Sequence, residues 1–324
     1  MRKVHRQQIL EVVASMHAAH QHCRDYLSGK AFQAAQGLLT DCQDAAIQIG
    51  ELIEQLDGEG TEPVAFLEQY CGRLYQVIVQ IEVTSPQKAY KHLEEMLIRA
   101  ENAIRHMRLR KEVVFLPYKA SMWDSLESVY LAAREDKECD AYVVPIPYYD
   151  KLPDDSLGEL HYEGDEYPSD IEITHYEAYD LEQRHPDVIY IHNPYDRCNV
   201  VTCVPERYFS SNLKRYTDCL VYIPYFILDE IEPDNQEAID TMKHFCFLPG
   251  TIWADKVIVQ SEKMRQIYIN EYRKAAREVG LSGEHTDRKK LEEKILGLGS
   301  PKLDKVHSIS RENLIIPDEW RRII

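Results

Sequence analysis

Residues 111–148 read KEVVFLPYKASMWDSLESVYLAAREDKECDAYVVPIPY, which is a strand, a helix and a second strand in one stretch. The apolar runs VVFL and AYVVPI are continuous rather than alternating, a pattern typical of strands that are covered on both faces. The segment between them, residues 121–135, has the length and pattern of a helix. This strand–helix–strand order predicts two parallel strands joined by a helix.

The same alternation continues along the rest of the chain. Predicted strands lie near residues 112–116, 140–146, 187–192, 218–223, 256–260 and 294–298. Predicted helices lie near residues 121–135, 206–216, 235–246, 261–279 and 287–293, and a further helix is expected within 314–324. The fold class that follows is α/β, with a parallel Rossmann-like sheet and helices on both faces.

The first 110 residues show no strand pattern, and their apolar residues recur at helical spacing. Glycines at 58 and 60 interrupt this pattern, and Pro63 and Pro86 each stand in the first turn of a following helix. We predict four helices, near residues 2–27, 31–56, 62–83 and 86–109. Such short connections make neighbours antiparallel, which gives a bundle or a pair of helical hairpins. The predicted domains are therefore residues 1–110 and 111–324.

The composition excludes several classes of protein. No run of 18 or more apolar residues exists, and the N-terminus lacks the apolar core of a signal peptide. The formal net charge of −17 disfavours nucleic acid as a partner. Eight cysteines without a CxxC pair are typical of reduced thiols in a cytosol. No dinucleotide fingerprint, P-loop, GxSxG or HExxH occurs, and no cofactor is predicted.

Most of the negative charge lies in the second domain, where residues 111–324 contain 41 acidic and 26 basic side chains. Residues 150–187 alone hold 13 acidic residues, interrupted by prolines and glycines. We interpret this acidic segment as a long, solvated surface excursion. An anionic ligand bound nearby would need local cations to overcome its field.

A Pro-Tyr pair follows four of the predicted strands, and the tyrosines are Tyr118, Tyr148, Tyr195 and Tyr225. Parallel sheets bind ligands beyond the carboxyl ends of their strands. Four tyrosines at such ends therefore indicate one aromatic rim around a crevice, since each offers a broad face and a hydroxyl. Pro-Tyr is also a common turn pair, so plain strand termination is the alternative.

Polar residues after the same strands are the candidates for chemistry. Lys119 and Ser121 follow the first strand and can attract an anion or a polyol, or Ser121 simply caps a helix. His192 and Asp196 follow the third strand and are the candidate general base and its orienter; a buried histidine in a turn is the alternative. The candidate substrate-binding residues at these strand ends are Tyr118, Lys119, Ser121, Trp123, Tyr148, Tyr149, Asn193, Tyr195, Tyr225 and Asp229.

Three histidines lie close together on the first predicted helix, and His17 and His20 have the spacing of a metal-binding pair. Apart from Cys23, no cysteine or carboxylate is clearly placed to complete a site. We therefore expect His17, His20 and His22 to lie on a solvated helix face, and no metal site is predicted.

The order and spacing of the last elements carry a resemblance to a known family. These elements are VIYIHNP at 188–194, CLVYIPYF at 219–226, ADKVIVQS at 254–261 and ILGLGSPKLD at 295–304. From residue 111 onward the chain resembles the acceptor-side domain of the CDP-glycerol glycerophosphotransferases, the teichoic-acid polymerase family with a two-domain glycosyltransferase B fold. The last segment is similar to the family's G-[YS]-P-[RK]-x-D motif, which adds Ser300 and Lys302 to the substrate-binding candidates.

The resemblance implies inverting transfer of an alditol phosphate from a CDP-linked donor to a polyol phosphate or lipid-linked acceptor, with CMP as leaving group. It also implies work at the cytoplasmic face of a membrane. Residues 224–227 read PYFI where the family has a histidine in W-H-G-T. The family's donor-binding half is expected after residue 324, so this chain corresponds to the acceptor-side half.

Three functions follow from these observations. The first is the acceptor-side part of a glycerophosphotransferase-like enzyme, which binds its CDP-linked donor through a separate C-terminal half. The second is a non-catalytic module that binds a polyol or an intermediate of a cell-surface polymer. The third is a helical interaction protein whose α/β part is a scaffold, with the N-terminal helices as a surface for self-association.

Overall fold

The structure, a computed structural model, describes residues 1–309. Two compact units divide the chain between Arg110 and Lys111, the first helical and the second α/β. The helix expected within residues 314–324 lies outside the described residues. Within residues 1–309, no helix combines the length and the apolar character that crossing a bilayer requires.

The helical unit is a four-helix bundle. Its helices are α1 (Lys3–Ser28), α2 (Phe32–Asp57), α3 (Glu62–Val79) and α4 (Pro86–His106). α1 and α3 each pack against both α2 and α4, so the helices form one bundle rather than two separate hairpins. Buried residues recur at three- and four-residue intervals on every helix, which is the pattern that an amphipathic helix presents to a core.

The α/β unit contains nine strands and eight α-helices within residues 111–309. The strands are β1 (Lys111–Leu116), β2 (Cys139–Val143), β3 (Tyr148–Lys151), β4 (Leu157–His161), β5 (Val188–Ile191), β6 (Thr202–Cys203), β7 (Cys219–Tyr222), β8 (Lys256–Val259) and β9 (Ile295–Gly297). The helices are α5 (Glu127–Glu135), α6 (Leu181–Arg184), α7 (Ser210–Leu213), α8 (Gln236–Met242), α9 (Pro249–Trp253), α10 (Glu262–Glu278), α11 (Arg288–Lys294) and α12 (Pro301–Ser308).

Six strands form one parallel sheet in the order β2-β1-β5-β7-β8-β9, which confirms the predicted fold class. The chain leaves β1 for β2 on one side and then returns to β5 on the other side of β1. β1 and β5 are therefore the neighbours at which the strand order reverses. In open α/β sheets, ligands bind beyond the carboxyl ends of such strands.

Both faces of this sheet are covered. On β1, Val114 and Leu116 belong to one core layer, whereas Val113 and Phe115 belong to the other. Successive residues of a strand point to opposite faces, so burial on both sides requires the continuous apolar runs that the sequence shows. The strand ends are also in register, since Leu116 of β1 pairs with Ile191 of β5.

The acidic segment 150–187 is more ordered than a solvated excursion. β3 pairs antiparallel with β4 and with β6, so the segment takes part in a second, three-stranded sheet. Most of its carboxylates are exposed, but Tyr167, Ile171 and Tyr179 are buried in the two core layers. Our interpretation of the whole segment as solvated is therefore wrong for these side chains.

Candidate functional site

The four tyrosines that follow proline lie together in space. The ring centroids of Tyr118 and Tyr148 are 5.4 Å apart, and those of Tyr118 and Tyr225 are 6.4 Å apart. Tyr195 completes the group at 6.4 Å from Tyr225. We call Tyr118, Tyr148, Tyr195 and Tyr225 the tyrosine cluster. It lies beyond the carboxyl ends of β1, β5 and β7, where their Pro-Tyr turns converge.

The tyrosine cluster is partly inside the protein rather than around an open rim. Tyr118 is only 2% exposed and Tyr148 is also buried, whereas Tyr195 and Tyr225 are half-buried. Burial raises the pKa of Tyr118, and a hydrogen bond to the neighbouring Tyr225 raises it further. The pKa of Tyr195 is raised by the same two causes. These phenols therefore stay protonated at neutral pH and serve as hydrogen-bonding groups, not as bases.

His192 is fully buried after the end of β5, and its ring packs against those of Tyr118 and Tyr225. Its Nε2 accepts the backbone N–H of Tyr118 at 3.1 Å, so that nitrogen carries no proton. Nδ1 therefore holds the proton and donates it to Ser125 Oγ at 2.9 Å, and Ser125 Oγ donates to the Met122 carbonyl. Burial lowers the pKa of His192 to about 3. Both nitrogens are thus engaged in holding the turns after β1 and β5, and the predicted role as a general base stays a prediction.

Asp196 lies further along the same turn, in a left-handed backbone conformation with φ 49°. Its Oδ1 accepts both the N–H and the hydroxyl of Ser210, each at 2.8 Å, at the first residue of α7. Burial raises the pKa of Asp196 to about 6, and the hydrogen bonds to Ser210 lower it in part. No contact between Asp196 and His192 is present among the described residues, so the expected orienting pair is not formed.

The turn around Asp196 is held by two further residues. Asn193 Oδ1 accepts the backbone N–H of Tyr195 at 3.1 Å, the side-chain-to-backbone bond that favours asparagine in turns. Gly250 of α9 donates its N–H to the Pro194 carbonyl at 2.8 Å. A Cβ at this position would come within 2.7 Å of the Pro194 Cα, so this close approach requires glycine.

Lys119 is the cation of the site. Its ammonium lies 4.7 Å from the ring centroid of Tyr148 and 5.9 Å from that of Tyr118. No carboxylate of the described chain lies within ion-pair distance of it. The nearby Glu163 accepts the Tyr148 hydroxyl at 2.6 Å and the Ala120 N–H at 2.8 Å, so both its oxygens have other partners.

Two candidates lie close in sequence to this site but outside the cluster. Trp123 is buried in the other core layer, against Tyr130 and Tyr167. Tyr149 pairs with Cys203 in the small sheet, and its strand neighbour Tyr148 faces the opposite side.

The alternative that Ser121 caps a helix is wrong. The helix after β1 begins as a 3-10 turn at Ala120, so Ser121 is not its N-cap and is exposed. No helix starts at Asp229, which is also exposed; α8 begins later and is capped by Asn235. These two side chains remain accessible to a ligand.

Ser300 and Lys302 stand at the start of α12. Ser300 Oγ is buried without a hydrogen-bond partner in the described chain, beside a cavity of about 10 Å³ beyond β7 and β8. That volume holds about one water molecule. Lys302 pairs with Asp124 at 2.5 Å, and Lys305 pairs with Glu127, so α12 is fastened to the segment that follows β1. Lys302 is therefore occupied, unlike Lys119.

Sequence reasoning missed four residues that build this site, which are Ser125, Glu163, Thr202 and Gly250. Glu163 was assigned to the solvated acidic segment, and a hydrogen bond from Thr202 to Tyr118 comes from the two-residue strand β6. Each of the four reaches the site through a tertiary contact, which leaves no local pattern in the sequence. Proximity to turns is the only signal that the sequence offers for them.

The fold and the site define the class of this protein as a Rossmann-like α/β protein with an N-terminal four-helix bundle. Comparison with models of protein families, with curated proteins and with solved structures found no match for the chain.

Proposed function

We propose that the α/β unit binds a phosphorylated polyol at the carboxyl ends of β1 and β5. The observation that carries this proposal is Lys119, a cation without an acidic partner among the described residues, next to two tyrosine rings. Other lysines, such as Lys137 and Lys290, also lack an ion-pair partner among the described residues, but they are exposed, whereas Lys119 is half-buried beside two aromatic rings. Its position at the reversal of strand order is the usual place for a ligand in this fold.

The rest of the site suits the polyol part of such a ligand. Tyr195 and Tyr225 are half-buried, and their hydroxyls can donate to and accept from sugar-alcohol hydroxyls. Their rings offer apolar faces to the carbon chain. In this proposal Lys119 holds the phosphate through a charge-assisted hydrogen bond, and the accessible Ser121 adds a hydroxyl donor.

A binding experiment tests this proposal. Isothermal titration of the full chain with glycerol 3-phosphate is expected to show saturable binding, with free glycerol binding much more weakly. Lys119→Gln removes a charge-assisted hydrogen bond and should lower the affinity for glycerol 3-phosphate by roughly 10- to 100-fold. Lys137→Gln, an exposed lysine before β2, is the matched control and should bind as the wild type does. Equal affinity in the wild type and Lys119→Gln would contradict the proposal.

A second candidate function is transfer of the alditol phosphate, and Asp196 is the observation that favours it. Its pKa of about 6 and its left-handed backbone are the perturbations that catalytic carboxylates often show. In this candidate, Asp196 takes the proton of an acceptor hydroxyl, whose oxygen attacks the phosphorus that bears the alditol; the bond from that phosphorus to the bridging oxygen breaks, and CMP leaves with the bond electrons. The chain would then supply the acceptor side, with the donor held by a second half.

This candidate also proposes a place of action and a partner. The chain would work in the cytoplasm, peripherally at the inner face of a membrane where a lipid-linked acceptor is available. The four-helix bundle would serve self-association, for which Tyr75 and Val79 offer exposed apolar side chains on one face of α3.

Release of CMP separates the two candidates. The full chain, combined with a protein that supplies the donor-binding half, is incubated with CDP-glycerol and a polyol phosphate acceptor, and CMP is measured by chromatography. Transfer predicts release that Asp196→Asn reduces by at least about 100-fold, because general base catalysis contributes roughly 10²–10⁴ in rate. No release by the wild-type chain together with that donor-binding half rejects transfer, and binding through Lys119 is still judged by the titration alone.

A further inference from the structure

A cluster of histidines and carboxylates lies within the helical unit, remote in sequence from the residues of the proposed function. His17 and His20 of α1 both direct Nδ1 at the carboxylate of Glu94 on α4. The distances are 2.8 Å from His17 Nδ1 to Oε2 and 2.6 Å from His20 Nδ1 to Oε1. One ligating atom from each of the three residues lies within 4.8 Å of the other two.

This geometry corrects what the sequence indicates for these histidines. His20 is only 1% exposed, so α1 does not present both side chains on a solvated face. The carboxylate that seemed to be absent comes from α4, which packs against α1 along the bundle. The expectation of a solvated helix face is therefore wrong for His20. A carboxylate from α4 lies where it can complete a metal site with both histidines.

The second nitrogen of each histidine is held as metal-binding histidines usually are. His20 Nε2 lies 2.6 Å from the buried Tyr70 hydroxyl of α3. His17 Nε2 lies 3.2 Å from Oε2 of Glu101, about two helical turns along α4 from Glu94. Metal-binding histidines commonly donate their other N–H to an oxygen, which fixes the ring and leaves one nitrogen for the ion. Both rings therefore turn Nδ1 toward the same point.

The cluster is also accessible and of suitable size. The side chains of His17 and Glu94 are 23% and 18% exposed, so an ion and a water molecule can reach one side of it. Two ligands of a tetrahedral zinc ion lie roughly 3.3 Å apart, since zinc–nitrogen distances are about 2.0–2.1 Å. The observed separations of 2.6 and 2.8 Å need only small side-chain shifts to admit an ion.

From this arrangement we propose that His17, His20 and Glu94 bind a divalent transition metal ion of the zinc type. The ligands are the two Nδ1 atoms and a carboxylate oxygen, and water from the exposed side completes a tetrahedron. Two imidazoles and a carboxylate favour zinc or cobalt over magnesium or calcium, which prefer oxygen ligands alone. The ion would join α1 to α4.

Cobalt serves as the spectroscopic probe, with the full-length chain as the sample. Tetrahedral Co²⁺ absorbs visible light, and ligation by any of the eight free cysteines would add a strong near-ultraviolet band. We expect one equivalent of Co²⁺ per chain with visible bands and no thiolate band. His17→Gln and Glu94→Gln should weaken binding by more than tenfold, because loss of even an outer partner costs about 10- to 100-fold.

Matched controls lie next to both ligands. His22→Gln and Glu95→Gln change exposed residues of the same helices and should bind Co²⁺ as the wild type does. Circular dichroism checks that each variant folds. As a measurement on the unaltered chain, Zn²⁺ at 100-fold over the dissociation constant should raise a melting transition by several degrees. Absence of Co²⁺ binding, a thiolate band, equal binding by the ligand variants, or an unchanged melting temperature would each overturn the proposal.

Discussion

At the scale of single residues, burial acts on two neighbours after β5 in opposite directions. Burial lowers the pKa of His192 to about 3 and raises that of Asp196 to about 6. His192 therefore contributes stability that is present above pH 6.5 and is lost as the pH falls toward 3. Asp196 contributes stability that is present below pH 4 and is lost as the pH rises through 6. Between pH 4 and pH 6, raising the pH therefore increases the contribution of His192 to stability and decreases that of Asp196.

Asparagine at position 196 should isolate the contribution of the carboxylate. Asp196→Asn keeps an oxygen for the two hydrogen bonds from Ser210 and tolerates the left-handed backbone, but it carries no charge to bury. We expect wild type and variant to have similar free energies of unfolding at pH 4. At pH 7 the variant should be more stable by on the order of 2–3 kcal/mol, since one pKa unit corresponds to about 1.4 kcal/mol.

Urea unfolding at pH 4, 5, 6 and 7 measures this difference. The two curves should separate with rising pH, and Asp196→Ala is the control because it lacks both the hydrogen bonds and the tolerance for positive φ. That variant should be less stable than the wild type by about 1–3 kcal/mol at pH 4, and the deficit should shrink toward pH 7 because alanine also has no charge to bury. A constant difference between wild type and Asp196→Asn across this range would show that Asp196 has an ordinary pKa in the folded chain.

At the scale of elements, the main sheet was predictable because its signal is local. Each of its strands is a short run of apolar residues, and the predicted ranges overlap all six observed strands. β3, β4 and β6 were not predicted. Their pairing joins Tyr149 to Cys203 across more than fifty residues, and Thr202 and Cys203 alone form the strand β6. A ladder this short has no periodicity for a sequence pattern to show.

The contact of α9 with the turn after β5 gives a prediction for one glycine. A methyl group at Gly250 would meet the Pro194 backbone at 2.7 Å, a contact that requires α9 or the turn to move. Gly250→Ala should therefore lower the free energy of unfolding by about 1–3 kcal/mol. Gly37 lies at an exposed position of α2, with open space around an added methyl group. Gly37→Ala should therefore stabilise the chain by roughly 0.5–1 kcal/mol.

Thermal unfolding followed by circular dichroism compares the two variants. Because the substitution is the same and only the surroundings differ, opposite signs would assign the loss at Gly250 to the close approach. A loss of stability in Gly37→Ala similar to that in Gly250→Ala would contradict this account.

At the scale of the whole molecule, the sites were only partly predictable. The convergence of four tyrosines follows from the topology of parallel strands, since their carboxyl ends share one edge. The burial of Tyr118 and the engagement of His192 depend on Ser125, Glu163 and the covering segments. The His17–His20–Glu94 cluster depends on the pairing of α1 with α4 across more than seventy residues. Periodicity marks which face of each helix is buried, but not which residues of two helices meet.

The distribution of charge makes a last prediction about how an anionic ligand arrives. The chain carries a net charge of −17, so a phosphorylated polyol is repelled at long range before it reaches Lys119. Salt screens this repulsion, because the Debye length shortens from about 30 Å at 0.01 M to about 8 Å at 0.15 M. The association rate constant of glycerol 3-phosphate should therefore rise severalfold over this range.

Rapid-mixing kinetics at several salt concentrations measures the effect. The dissociation rate constant should depend less steeply on salt concentration than the association rate constant does, because the contact between Lys119 and the phosphate is short and only weakly screened. Lys137→Gln leaves the proposed contact intact and removes one positive charge. Its association rate constant should therefore show the same upward trend with salt. An association rate constant that falls with salt would mean that a local positive field, not the net charge, governs the approach. That result would require more cations near the tyrosine cluster than Lys119 alone.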